Sequence, residues 1–92
     1  MPKKTADNSL LKMLSLPRSK PEWDALLLDL LTPKERASLA ERWQIIQLLS
    51  SDMPQREIAK KLGVSISKIT RGSRVLQEGN GGFRKALKRM KK

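Results

Sequence analysis

Residues 55–76 read QREIAKKLGVSISKITRGSRVL, and this stretch decides the fold. Gln55 to Leu62 carries Ile58, Ala59 and Leu62 at helical spacing. Gly63 then stops the helix, because glycine readily adopts the left-handed conformation that closes a helix end. Ser65 follows as a cap for a second helix from Ile66 to Gln77. The small Ala59 lets the two helices approach, and Ile58, Leu62, Val64 and Ile69 fill the space between them. This is the pattern of a helix-turn-helix over about residues 53–77, whose second helix meets base edges at its start. The residues expected to face nucleic acid are Gln55, Arg56, Ser65, Ile66, Ser67, Lys68 and Thr70. A plain helical hairpin has the same apolar set; the Ala-x-x-x-Gly spacing and the local positive charge favour the helix-turn-helix.

Working outward, Thr32-Pro33-Lys34-Glu35 is a helix start. Thr32 can cap the amide of Glu35, Glu35 can reach back to the amide of Thr32, and Pro33 fits the first helical position, where its missing N–H is not needed. That helix should run to about Leu49, with Leu39, Trp43, Ile46 and Leu49 on its apolar face, widened by Ile45 and Leu48. Residues 1–8 are polar and expected to be flexible, and Ser9–Leu16 suits a short helix. Pro17 and Pro21 bracket a break, and Glu22–Leu31 spaces Trp23, Leu26, Leu27, Leu30 and Leu31 as a helix. Past a glycine-rich turn at 79–82, Phe83, Ala86, Leu87 and Met90 mark a last amphipathic helix. No stretch alternates as a strand does. The expectation is an all-α protein with one helical DNA-binding domain over residues 9–92.

Charge sharpens the functional reading. Residues 1–52 hold 8 Lys/Arg and 7 Asp/Glu, whereas residues 53–92 hold 12 and 2, so nearly all of the net +11 lies in the last 40 residues. A one-sided basic field points to a polyanionic partner. The chain has neither cysteine nor histidine, which removes thiolate chemistry and the usual zinc ligands. No metal is expected, and nine scattered carboxylates form no acid–base or nucleophile set, so no enzyme is expected either. The longest apolar run, Ala25–Leu28, is far short of the ~20 residues of a membrane span, and the expected location is cytoplasmic.

The sequence resembles the Trp repressor family. The matching residues are Leu31-Thr32-Pro33, Glu35-Arg36, Leu39, Arg42, Gln55-Arg56-Glu57 and, most specifically, Ile69-Thr70-Arg71-Gly72-Ser73. A recognition helix seldom contains Gly and Ser, since both weaken helices. The resemblance covers roughly Leu26 to Gln77. It implies an all-helical homodimer with intertwined N-terminal helices, repressing transcription at palindromic double-stranded operator DNA. In the best-known branch L-tryptophan is the corepressor, its indole held between two arginines and beside a glycine of the recognition helix. The corresponding positions are Arg42, Arg71 and Gly72, with Leu31 and Thr32 alongside. Where the family has Asn-Ser after ITRGS, this chain has Arg74-Val75, and Val75 offers the ligand's amino group no hydrogen bond. Lys68 and Ala59 also differ from the family's DNA-facing threonine and lysine, so operator sequence does not transfer.

From the residues alone, Arg42 sits at the edge of an apolar stripe and has two readings. It stacks on an aromatic ligand, or it is a surface arginine that snorkels outward or pairs with Glu35 or Glu41. Two further functions stay open: a related DNA-binding regulator indifferent to tryptophan, which Val75 favours, and a basic RNA-binding or scaffold protein. The latter is disfavoured by having only Trp23, Trp43 and Phe83 as aromatics.

Overall fold

The computed structural model describes residues 3–91. It holds α1 (Lys3–Leu14), α2 (Lys20–Leu30), α3 (Pro33–Ser50), α4 (Gln55–Leu62), α5 (Ile66–Glu78) and α6 (Gly82–Met90), with no strand among the described residues. The all-α expectation agrees with this. Within this fold the chain divides into two compact units, one ending at Arg36 and the other beginning at Ala37.

In the first unit, helix starts at Lys3, six residues before the expected Ser9, since nothing between Lys3 and Leu14 breaks a helix. Of the segment expected to be flexible, residues 1 and 2 lie outside the described residues and 3–8 belong to α1. α2 starts two residues early because Pro21 falls in its first turn, where no amide is missed. The Ser19 hydroxyl accepts from the amide of Glu22 at 3.3 Å. At the head of α3, the Thr32 amide donates to Glu35 Oε1 at 2.9 Å and the Glu35 amide donates to Thr32 Oγ1 at 3.1 Å, the expected reciprocal cap. Arg36 is ion-paired with Asp24 of α2. α2 contains no buried residue, and Leu10, Leu11, Leu16, Trp23, Leu28 and Leu30 are exposed.

The second unit has a true core. Ile58 and Ile69 are wholly buried, Ile45 nearly so, and Leu48, Leu49, Met53, Ala59, Leu62 and Val64 pack around them. Gly63 closes α4 at φ 66° and its amide donates to the carbonyl of Ala59. Asp52 turns the chain between α3 and α4 at φ 63°, a conformation that Asp tolerates better than most residues. The start of α5 departs from expectation. Ser65 occupies the cap position but makes no cap hydrogen bond; its hydroxyl lies 3.1 Å from Ser67 Oγ instead.

α6 docks through Leu87, which is buried, and Phe83, which stacks on Trp43 with ring centroids 6.1 Å apart. Arg84 turns back onto α5, donating from Nε to the Leu76 carbonyl at 2.8 Å and from Nη2 to the Gln77 carbonyl at 3.2 Å. A cation on the last carbonyls of a helix both satisfies orphan acceptors and complements the helix dipole. α5 is thereby tied to α6.

Candidate nucleic-acid interface and ligand groove

The outer face of the helix-turn-helix is built by the burial of its inner face. Once Ile58 and Ile69 are turned into the core, helical periodicity leaves Arg56, Ser65, Ile66, Ser67, Lys68 and Thr70 exposed, with Gln55 half-buried. Six of the seven predicted contact residues are therefore open to solvent. Four of them are already engaged: the Ser65 and Ser67 hydroxyls lie 3.1 Å apart, and Thr70 and Lys68 each reach another helix. Thr70 Oγ1 lies 3.2 Å from Gln55 Oε1 and 3.0 Å from the Ile66 carbonyl, which links the starts of α4 and α5. Lys68 Nζ donates to Glu41 Oε1 of α3 at 2.9 Å.

Behind this face lies a groove between α3 and α5, with a cavity of about 340 Å³. Residues 38, 41, 42, 45 and 46 of α3 and 68, 71, 72 and 75 of α5 line it, both sets at helical spacing, with Phe83 of α6 at one end. Ile45, Ile46, Gly72, Val75 and Phe83 make an apolar floor. Arg42, Lys68 and Arg71 bring three cations to its lining against one carboxylate, Glu41. The size is at the low end of the ~300–1,000 Å³ of small-molecule sites, and an apolar floor with a few convergent polar groups is their usual make-up.

The predicted ligand residues Arg42, Arg71, Gly72 and Val75 meet in this groove. Leu31 and Thr32 belong to the first unit, where Thr32 serves as the cap of α3. Arg42 is exposed, and Glu41, one of its two candidate partners, is occupied by Lys68. Gly72 has a second role that the sequence does not reveal. A Cβ there would come within 2.9 Å of Ile45 Cγ2 and 3.6 Å of Leu49 Cδ1, so glycine is what lets α5 lie close against α3. Ser38, Glu41, Ile45, Ile46, Lys68 and Phe83 also line the groove and were not expected there from the sequence. Their spacing from Arg42 and Arg71 was visible, but nothing in the sequence says which two helix faces oppose each other.

A second, larger depression of about 700 Å³ is lined by Trp43, Val75, Leu76, Phe83 and Ala86 among others. Its one charged residue, Arg84, is committed to α5 carbonyls, so it offers a charged ligand no free counter-ion. Among the described residues no group of His, Cys, Asp or Glu is placed to hold a metal ion, and no helix is long and apolar enough to cross a membrane.

Comparison with known proteins agrees with this arrangement. The family model described as "Trp repressor protein" matches residues 7–91. A Trp operon repressor homolog of Xylella fastidiosa (strain 9a5c) is 41% identical over 81 residues, covering 87% of this chain and 88% of that protein. A Trp operon repressor homolog of Chlamydia caviae is 49% identical over 61 residues, covering 65% of this chain and 60% of that protein. No solved structure matches the chain significantly. A match running through all six helices, together with the ITRGS helix and the arginine-lined groove behind it, places the chain in the Trp repressor family.

Proposed function

We propose that this protein is a transcriptional repressor that binds operator DNA as a homodimer, with L-tryptophan as corepressor, in the cytoplasm. The observation that carries the proposal is the groove between α3 and α5, which Arg42 and Arg71 line together with the apolar Ile45, Ile46, Gly72, Val75 and Phe83. An indole between two guanidinium planes gains a cation–π contact of ~0.5–2 kcal/mol per face, and the ligand's carboxylate neutralises part of the local positive charge. A ligand wedged between α3 and α5 biases the orientation of α5. It strengthens DNA binding only through tighter binding to the DNA-ready orientation, and DNA must then tighten ligand binding by the same factor.

The exposed leucines of α1 and α2 support the homodimer. A small chain gains the apolar burial it lacks by association. Two recognition helices then enter successive major grooves ~34 Å apart. The basic outer face of α6, with Lys85, Lys88 and Arg89 at helical spacing opposite the buried Leu87, supplies sequence-independent attraction to phosphate.

The test is to select bound duplexes from a random pool with and without tryptophan, then to titrate the selected duplex at moderate salt. Tighter binding with saturating tryptophan is expected. Coincident curves remove tryptophan as effector and promote the ligand-independent regulator, the reading that Val75 in the groove favours.

A further inference from the structure

Resting on that corepressor reading, we infer that Glu41 is the ammonium receptor of the groove and that this one carboxylate is shared in turn by Lys68 and by the ligand. The groove takes an aromatic α-amino acid as a zwitterion, and occupying it hands Lys68 to DNA.

The argument begins with a count of charges. Of the groove residues, Arg42, Lys68 and Arg71 are cationic and Glu41 alone is anionic. A ligand carboxylate therefore has a choice of guanidinium partners. A ligand ammonium has one ionic partner, because Val75 offers no acceptor and Glu41 is the sole acid. In this structure Glu41 Oε1 holds Lys68 Nζ at 2.9 Å. The two ammonium groups compete for one carboxylate.

The position of the pair makes the competition consequential. Glu41 stands four residues before Ile45 and Lys68 four residues before Gly72, and Ile45 and Gly72 mark the close approach of α3 to α5. The ion pair is thus a clasp across the groove, one helical turn from its tightest point. It also draws a cation of the recognition helix's first half away from the DNA side. The clasp is easily exchanged: the side chains of Lys68 and Glu41 are 59% and 32% exposed, and pairs of that kind are weak. A carboxylate without an amino group would satisfy Arg42 or Arg71 and leave the clasp shut. An amino acid opens it.

The experiment is a double-mutant cycle on the full chain, with DNA affinity and tryptophan affinity measured separately. Glu41→Gln should raise ligand-free DNA affinity about two- to five-fold, the range expected for releasing such a pair. The same change in a Lys68→Met background should do nothing, since no lysine remains to be released. Glu78→Gln makes an identical charge change at the far end of α5 and should stay near wild type. Equilibrium dialysis should show tryptophan binding Glu41→Gln about ten-fold more weakly than wild type, for want of a charged acceptor. Tryptophan should also enhance DNA binding less in that variant. Glu41→Gln matching Glu78→Gln without ligand overturns the clasp, and unchanged tryptophan affinity in Glu41→Gln overturns the receptor. If wild-type chain itself binds no tryptophan, the corepressor reading falls with the receptor, while the ligand-free cycle still decides the clasp.

Discussion

The two compact units of this chain spend similar aliphatic side chains to opposite ends. In the second, Ile58 and Ile69 have no exposed surface and sit inside a shell of Leu48, Leu49, Leu62 and Val64. In the first, Leu28 is 58% exposed and Leu11 and Leu16 are 65% exposed. Apolar residues at helical spacing are thus necessary for a core and not sufficient for one. The second unit has a tight αL turn at Gly63 that folds α4 and α5 onto each other, so that each isoleucine finds the other helix. The helices of the first unit bury little within it and leave their leucines exposed.

The most forceful way to break that contrast is truncation on each side of it. Ile69→Ala leaves a cavity in a closed core and should cost about 2–5 kcal/mol in urea or thermal unfolding. Leu28→Ala removes a largely exposed side chain and should cost under about 0.5 kcal/mol in a monomer. If the proposed homodimer covers these leucines, Leu28→Ala instead makes the melting temperature depend more steeply on protein concentration. Equal costs for the two variants, independent of concentration, would mean that the N-terminal leucines are as well packed as the core.

What was legible in the sequence follows the same line. The helix-turn-helix could be read because its determinants are local: Gly63 within the turn, and Ile58, Leu62 and Ile69 within a dozen residues of each other. The Thr32–Glu35 cap was legible for the same reason. Arg42, Arg71, Gly72 and Val75 were nominated together through resemblance, and the groove brings them together. Glu41 escaped because its partner Lys68 is 27 residues away on another helix, and sequence offered Arg42 as the nearer cation. The division at Arg36 and Ala37 leaves no local mark in the sequence, because α3 runs uninterrupted across it.

Within the second unit, Gly72 sharpens the contrast at a smaller scale. Its missing side chain, rather than a filled one, sets the packing, since an added Cβ would meet Ile45 Cγ2 at 2.9 Å. Gly72→Ala should therefore destabilise by about 1–3 kcal/mol through overpacking, although alanine is the better helix former. Ile45→Leu removes the branch that clashes, so the double variant should recover part of the loss. A stabilised Gly72→Ala would show that α5 moves off α3 at no cost. A substitution here also perturbs the fold before it narrows the ligand groove, which makes Glu41 and Arg42 the cleaner probes of binding.

The smallest effect compares two helix starts that look alike in sequence and differ in structure. Thr32 and Ser65 both stand one residue ahead of a helix. Thr32 accepts from the Glu35 amide at 3.1 Å and its own amide is answered by Glu35. Ser65 caps nothing, and its hydroxyl turns to Ser67 at 3.1 Å. Three residues after Thr32 comes a glutamate that completes the reciprocal bond, whereas three after Ser65 comes Lys68, whose side chain cannot accept from the Ser65 amide. Thr32→Ala should cost about 1 kcal/mol, the usual worth of a satisfied N-cap. Ser65→Ala should leave stability within about 0.5 kcal/mol of wild type, as an exposed surface change does. Its hydroxyl, bonded to Ser67 alone, lies exposed at the start of α5 on the proposed DNA face. Measured on the selected duplex, Ser65→Ala should weaken DNA binding while Thr32→Ala at matched folded fraction does not. A stability loss at Ser65 equal to that at Thr32 would return it to the role of a cap and take it out of the proposed DNA face.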